Sequence, residues 1–159
     1  MPKVKYSASK GLYQEAGSGI EFGGNSMSGM LRPVRSITTA DAASGITFGA
    51  GDSGIIISIA SSTGGVACVL PSATTAGAGW YCDVCYAADT PGGNVTFTGG
   101  TFKVICIDGG AATEASDSGT TLTFATAAAV AGDRARIFCD GTLYYVQAGS
   151  SAGSNITAA

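Results

Sequence analysis

Residues 135–148 read Ala-Arg-Ile-Phe-Cys-Asp-Gly-Thr-Leu-Tyr-Tyr-Val-Gln-Ala. Two runs rich in β-branched and aromatic residues flank Asp140-Gly141, a dipeptide that tolerates the positive φ angles of a type I′ turn, so a two-residue hairpin is expected between strands Ala135–Cys139 and Thr142–Ala148. Outward from this hairpin the same punctuation continues. Short apolar runs separated by Gly, Ser, Thr and Asp clusters predict strands at Ser36–Thr39, Ile46–Phe48, Gly54–Ala60, Gly65–Leu70, Trp80–Ala87, Asn94–Thr98, Thr101–Ile107 and Thr120–Phe124. The fold class is therefore all-β, a β-sandwich or jelly-roll-like domain of about ten short strands. In the Trp80 strand, Trp80, Cys82, Val84 and Tyr86 share one apolar face, while Tyr81, Asp83, Cys85 and Ala87 form a mixed one, so the strand is half buried. Thr126–Ala131 alone has helix propensity, and six residues before Gly132-Asp133 predict a loop or a single turn. Stretches 69–80 and 124–134 echo each other as strand end, small-residue run, Gly turn and strand, which reads as two similar crossovers in one sandwich.

Composition limits what such a domain does. Gly, Ala, Ser and Thr supply 85 of the 159 residues, against 31 for Leu, Ile, Val and Phe together, so the expected core is thin and help from other subunits is expected. The absence of histidine removes imidazole bases, Ser-His and Cys-His pairs and His-ligated metals. Eight basic residues in a chain of net charge −3 argue against electrostatic nucleic-acid binding. No apolar run approaches the length of a membrane span. The start, Met-Pro-Lys-Val-Lys-Tyr-Ser, lacks the apolar core of a secretory signal, which predicts synthesis in the cytosol.

The charges are unevenly distributed. Residues 1–35 hold Lys3, Lys5, Lys10, Arg32 and Arg35 against Glu15 and Glu21, a balance of +3, and the remainder of the chain is −6. This basic segment lacks periodicity but scatters the apolar anchors Tyr6, Leu12, Tyr13, Ile20, Phe22, Met27, Met30 and Leu31. It reads as an extended N-terminal arm that either stays disordered or orders by laying its anchors on another protein. The expected organisation is an arm over 1–35, a sandwich over 36–148 and a flexible tail over 149–159.

Few constellations carry chemistry. Cys82 and Cys85 have metal-site spacing, but no second pair or histidine completes a zinc shell, and positions i and i+3 of a strand face opposite ways. The five cysteines are read as reduced core thiols. Asp108, Glu114 and Asp117 lack the spacing of a calcium loop and read as a solvated loop, with calcium binding or a glycosidase carboxylate pair as the sharper alternatives. Asp133 and Asp140 suit turns. Arg134 and Arg136 share a strand face, where a salt bridge is the default. Trp80, Tyr81, Tyr144 and Tyr145 form either core and interface or a sugar-stacking platform. No catalytic, cofactor or metal residues are assigned.

Several of these stretches together resemble a known module: Leu-Pro-Ser-Ala-Thr at 70–74, Ala-Gly-x-Gly-Trp-Tyr at 76–81, Asn-Val-Thr-Phe at 94–97 and the closing Ala-Gly-Asp-Arg-Ala-Arg-Ile-Phe-Cys-Asp-Gly-Thr-Leu-Tyr-Tyr-Val at 131–146. Over residues 45–148 the chain is similar to a β module of tailed-bacteriophage structural proteins, found in capsid decoration (cement) proteins, head fibres and tail fibres. Leu143-Tyr144-Tyr145 stands where that pattern has a Trp-Tyr pair. The resemblance implies a β-sandwich homotrimer on the outer surface of the virion head, stabilising the shell by bridging units of the major capsid protein, with no reaction, cofactor, nucleic acid or membrane involved. A receptor-binding head-fibre or tail-fibre segment is the alternative. On this reading the arm residues Lys3, Lys5, Tyr6, Lys10, Leu12, Tyr13, Ile20, Phe22, Arg32 and Arg35 bind the capsid. Leu143 and Tyr144 partly face neighbouring subunits.

Overall fold

The computed structural model describes residues 32–60, 65–87, 93–108, 115–125, 129–151 and 155–159, together with four short strands before them. The chain divides into two units, Met1–Arg32 and Pro33–Ala159. In the first, β1 (Val4–Ser7) pairs antiparallel with β2 (Gly11–Gln14), and β3 (Glu21–Phe22) pairs with β4 (Asn25–Ser26). Lys5, Tyr6, Leu12, Tyr13 and Phe22 fall on these strands, whereas Lys3, Lys10 and Ile20 lie outside the described residues.

The second unit is a two-sheet sandwich built by alternation. β5 (Val34–Ile37), β7 (Ile56–Ile59) and β9 (Ala78–Tyr86) lie parallel in one sheet, and β6 (Ile46–Thr47), β8 (Val66–Val69) and β10 (Val95–Thr98) lie parallel in the other. The chain therefore crosses between layers at every step, as in three turns of a coil. The remaining strands close it: β11 (Phe102–Asp108), β12 (Ala115–Gly119), β13 (Leu122–Phe124), β14 (Arg134–Asp140), β15 (Tyr144–Ser150) and β16 (Ile156–Ala158). The sheet orders are β12-β11-β15-β14-β9-β7-β5 and β16-β13-β10-β8-β6. Both echoed crossovers step from the five-stranded sheet to the seven-stranded one, β8 to β9 and β13 to β14. In the first, Pro71 leads into a single helical turn, α1 (Ala73–Ala76), which Ser72 caps by accepting the Thr75 amide on its Oγ at 3.2 Å.

All ten expected strands are present. The alternation of β9 holds, with Trp80, Cys82, Val84 and Tyr86 buried and their neighbours outward. Aromatic residues fill much of the space between the sheets. Tyr144 meets Trp80 edge-on at 5.8 Å and stacks on Phe102 at 5.5 Å, while Phe97 and Phe124 meet edge-on at 5.8 Å.

Four expectations need correction. Val34 and Arg35, assigned to the arm, belong to edge strand β5. Part of the expected loop after Asp108 is β12, paired antiparallel with β11; its Ala-Ser-Asp-Ser-Gly sequence has no apolar alternation, and only ladder pairing identifies it. The tail expected to be flexible from 149 carries the end of β15 and then β16, which pairs with β13, because the alternate residues Ile156 and Ala158 complete the buried face of the five-stranded sheet. The hairpin turns one residue later than expected. Cys139 faces Tyr144, and Asp140 N donates to the Leu143 carbonyl at 3.2 Å, so Gly141-Thr142 is its tip. Asp140 Oδ1 draws the turn there by accepting both Thr142 N and Leu143 N at 2.7 Å.

Candidate functional site

The acidic residues serve the loops. Thr38 N donates to Asp41 Oδ2 at 2.7 Å while Asp41 N donates to the Thr38 carbonyl at 3.0 Å. Gly49 and Asp52 repeat this reciprocal pair at 2.7 and 3.1 Å, and Val130 and Asp133 repeat it at 3.1 and 3.0 Å. Three of the loops between strands thus close with one device, an aspartate three residues after the first loop amide. The amide and hydroxyl of Thr38 hold the Asp41 carboxyl below its ordinary pKa. The Leu143 and Thr142 amides do the same for Asp140. Arg35, read as a capsid contact, pairs with Asp41 at 2.9 Å.

The cysteines follow the strand alternation. Cys82 is buried and Cys85 half-buried on the opposite face of β9, so their sulfurs diverge. Among the described residues no three Cys, Asp or Glu side chains gather where a metal ion could sit. No described helix is long and apolar enough to cross a membrane.

The sequence grouped four aromatics, and the structure splits them. Trp80 and Tyr144 are core, which corrects the expectation that Tyr144 faces a neighbour. Tyr81 and Tyr145 point from the outer face of the seven-stranded sheet. There, successive strands align Lys103 of β11, Tyr145 of β15, Phe138 of β14 and Tyr81 of β9 in one row. The next row is Ile105, Gln147, Arg136 and Asp83. Phe138 and Tyr145 stack, with ring centres 5.4 Å apart and planes 19° from parallel. Phe138 keeps 36%, Tyr81 38% and Ile105 51% of their surface exposed. Arg136 grips Asp83 with two hydrogen bonds, Nε to Oδ1 at 2.8 Å and Nη2 to Oδ2 at 3.2 Å, the salt bridge that the strand alternation predicts. That bond raises the pKa of the Arg136 guanidinium further. Tyr145 donates its hydroxyl to Asp140 Oδ2 at 3.1 Å, which raises the pKa of the phenol.

Two shallow grooves run over this face and meet at Gln147. One, of about 430 Å³, lies among Lys103, Ile105, Phe138, Tyr145 and Gln147. The other, of about 460 Å³, lies among Asp83, Arg134, Arg136, Gln147 and Gly149. Sequence reasoning missed Phe138, Ile105 and Gln147. The signal was present in the alternation of Arg134, Arg136 and Phe138 against Ala135, Ile137 and Cys139.

No protein-family model, curated protein or solved structure matches this chain.

Proposed function

We propose that this chain is a structural virion protein, a capsid decoration protein that binds the outer surface of a tailed-phage head as a homotrimer and bridges units of the major capsid protein. The observation that carries the reading is the division at Arg32 and Pro33. A sandwich with its own core follows an N-terminal unit of paired strands only two to four residues long, and strand pairs of that size need a partner surface to be stable. The first unit is basic and the sandwich acidic, which suits an arm drawn to an acidic shell. The commitment of Asp41, Asp52, Asp83, Asp133 and Asp140 to loops and strand pairing fits a protein that works by adhesion. The resemblance of residues 70–81, 94–97 and 131–146 to phage head modules supplies the partner. Added buried area across capsid subunits stabilises the shell against disassembly.

Sedimentation with purified heads tests the proposal. The full chain pellets with heads, and electron microscopy places it on the shell. A chain lacking residues 2–30 still has the mass of a trimer of the shortened chain in light scattering but stays in the supernatant. Attachment to tails, or undiminished head binding by the truncated chain, contradicts the assignment of head or arm respectively.

A further inference from the structure

The outer face of the seven-stranded sheet has the composition of a ligand platform. Its aromatic row offers ring surface on three adjacent strands, and the neighbouring row offers planar polar groups already fixed by one another. The Arg136–Asp83 pair is held by two hydrogen bonds, and the exposed Gln147 lies opposite Arg136 and two residues along β15 from Tyr145. Across β11, β15, β14 and β9, at the usual spacing between strands, the two grooves extend about 14 Å.

Charge and apolar area narrow the occupant. A second copy of the chain would need a charge-depleted apolar centre, yet Ile105, Phe138 and Tyr81 are interleaved with Lys103, Arg134, Arg136 and Asp83. Nucleic acid would need a concentration of unopposed cations, yet Lys103, Arg134 and Arg136 stand here with Asp83 and Asp140, which leaves a net charge of only +1, and Arg136 is paired with Asp83. A hexopyranose matches both rows, because its C–H face packs on an aromatic ring while its hydroxyls bond with amide, carboxylate and guanidinium groups. We propose that this face is a carbohydrate-binding surface for oligosaccharides of neutral hexopyranose units. Phe138 and Tyr145 form the stacking platform, and Gln147 with the Arg136–Asp83 pair binds the hydroxyls. All the residues of the site belong to the second unit, and the proposal does not rest on where the protein attaches.

Calorimetric titration of the full chain with maltohexaose, cellohexaose, mannohexaose and, as an acidic control, oligogalacturonate tests it. At least one neutral oligomer binds, and Phe138→Ser weakens that binding by about tenfold or more, equivalent to ~1.4 kcal/mol. Gln147→Ala, at an exposed position with no core contact to lose, weakens it several-fold and serves if Phe138→Ser does not fold. Three results would overturn the proposal: no binding at millimolar oligomer or binding of oligogalacturonate alone, binding unchanged in both variants, or a concentration-dependent dimer of the native chain that Phe138→Ser abolishes.

Discussion

Tyr144 Oη donates a 2.7 Å hydrogen bond to the carbonyl oxygen of Pro71, joining the closing hairpin to the first crossover. The contact links the two most distinctive stretches of the sequence, Leu70-Pro71-Ser72 and Asp140–Val146, and shows why both are needed in one domain. The backbone packs closely around it. A Cβ at Gly99, whose φ is +133°, would lie 2.4 Å from the Leu70 carbonyl oxygen, and one at Gly100 would lie 3.1 Å from the Tyr144 ring. Only glycine meets both demands at position 99.

Removing that hydroxyl leaves a buried carbonyl without its donor. Tyr144→Phe costs about 1–2 kcal/mol in urea unfolding. Tyr144→Ala, which also opens a cavity beside Trp80 and Phe102, costs about 3–5 kcal/mol. Equal midpoints for Tyr144→Phe and the parent would mean that the bond contributes nothing.

Asp140 contributes, with Asp41, to the acid side of the stability profile. The Asp140 carboxyl titrates below 3.8 in the folded chain because the Leu143 and Thr142 amides and the Tyr145 hydroxyl bond to the ionised form. A lowered folded pKa gives stability that is complete above the unfolded value and is lost as the pH falls through the folded one. Asp140→Ala therefore lowers the thermal midpoint at neutral pH, and the gap from the parent narrows below pH 3.8. A gap that stays constant down to the acid transition would show that the turn does not depend on the carboxylate.

The thiols divide by burial. Desolvation, with a smaller contribution from the charge of Asp41, pushes Cys68 from 9.0 up to about 12. The unfolded chain ionises this thiol from pH 9 upward while the folded chain holds it neutral, so stability declines with rising pH until about pH 12. In the native chain, alkylation mapped by mass spectrometry modifies the half-buried Cys85 well before Cys68, Cys82 or Cys139. Equal labelling of Cys68 and Cys85 would place Cys68 outside the core.

Alternation made the sandwich legible. Trp80, Cys82, Val84 and Tyr86 repeat every second residue, and the burial of their strand follows directly from that period. Strand order was not legible, because parallel neighbours such as β7 and β9 are joined by ladders that leave no local mark. β12 was hidden for the same reason. Of the loop aspartates Asp133 was read as a turn former while Asp41 and Asp52 were not singled out, because an aspartate three residues after Thr38, Gly49 or Val130 becomes meaningful only when the amide it accepts is known. The outer-face row was half legible, since Phe138 alternates with Ile137 and Cys139. Its alignment with Tyr145 and Tyr81 depends on the register of three strands.

The C-terminal segment is integral to the sandwich, and its removal tests the correction to its expected flexibility. Asn155 is fully buried and donates its Nδ2 to Asp133 Oδ2 at 3.1 Å and to Ser151 Oγ at 3.0 Å. Asp133 also accepts the Ser151 amide on Oδ1 at 3.0 Å and the Val130 amide on Oδ2 at 3.1 Å. One carboxylate therefore anchors both the loop before β14 and the segment leading into β16. Beyond it, Ile156 pairs with Phe124, and its burial alone contributes about 1.5–3 kcal/mol. Asn155→Ala, which deprives a buried carboxylate of a donor, costs about 1–3 kcal/mol. Deletion of residues 151–159 removes both contributions and leaves β13 as an unprotected edge, so the truncated chain unfolds at lower urea and aggregates more readily. A deletion variant with the parent's midpoint and solubility would return the segment to the status of a dispensable tail.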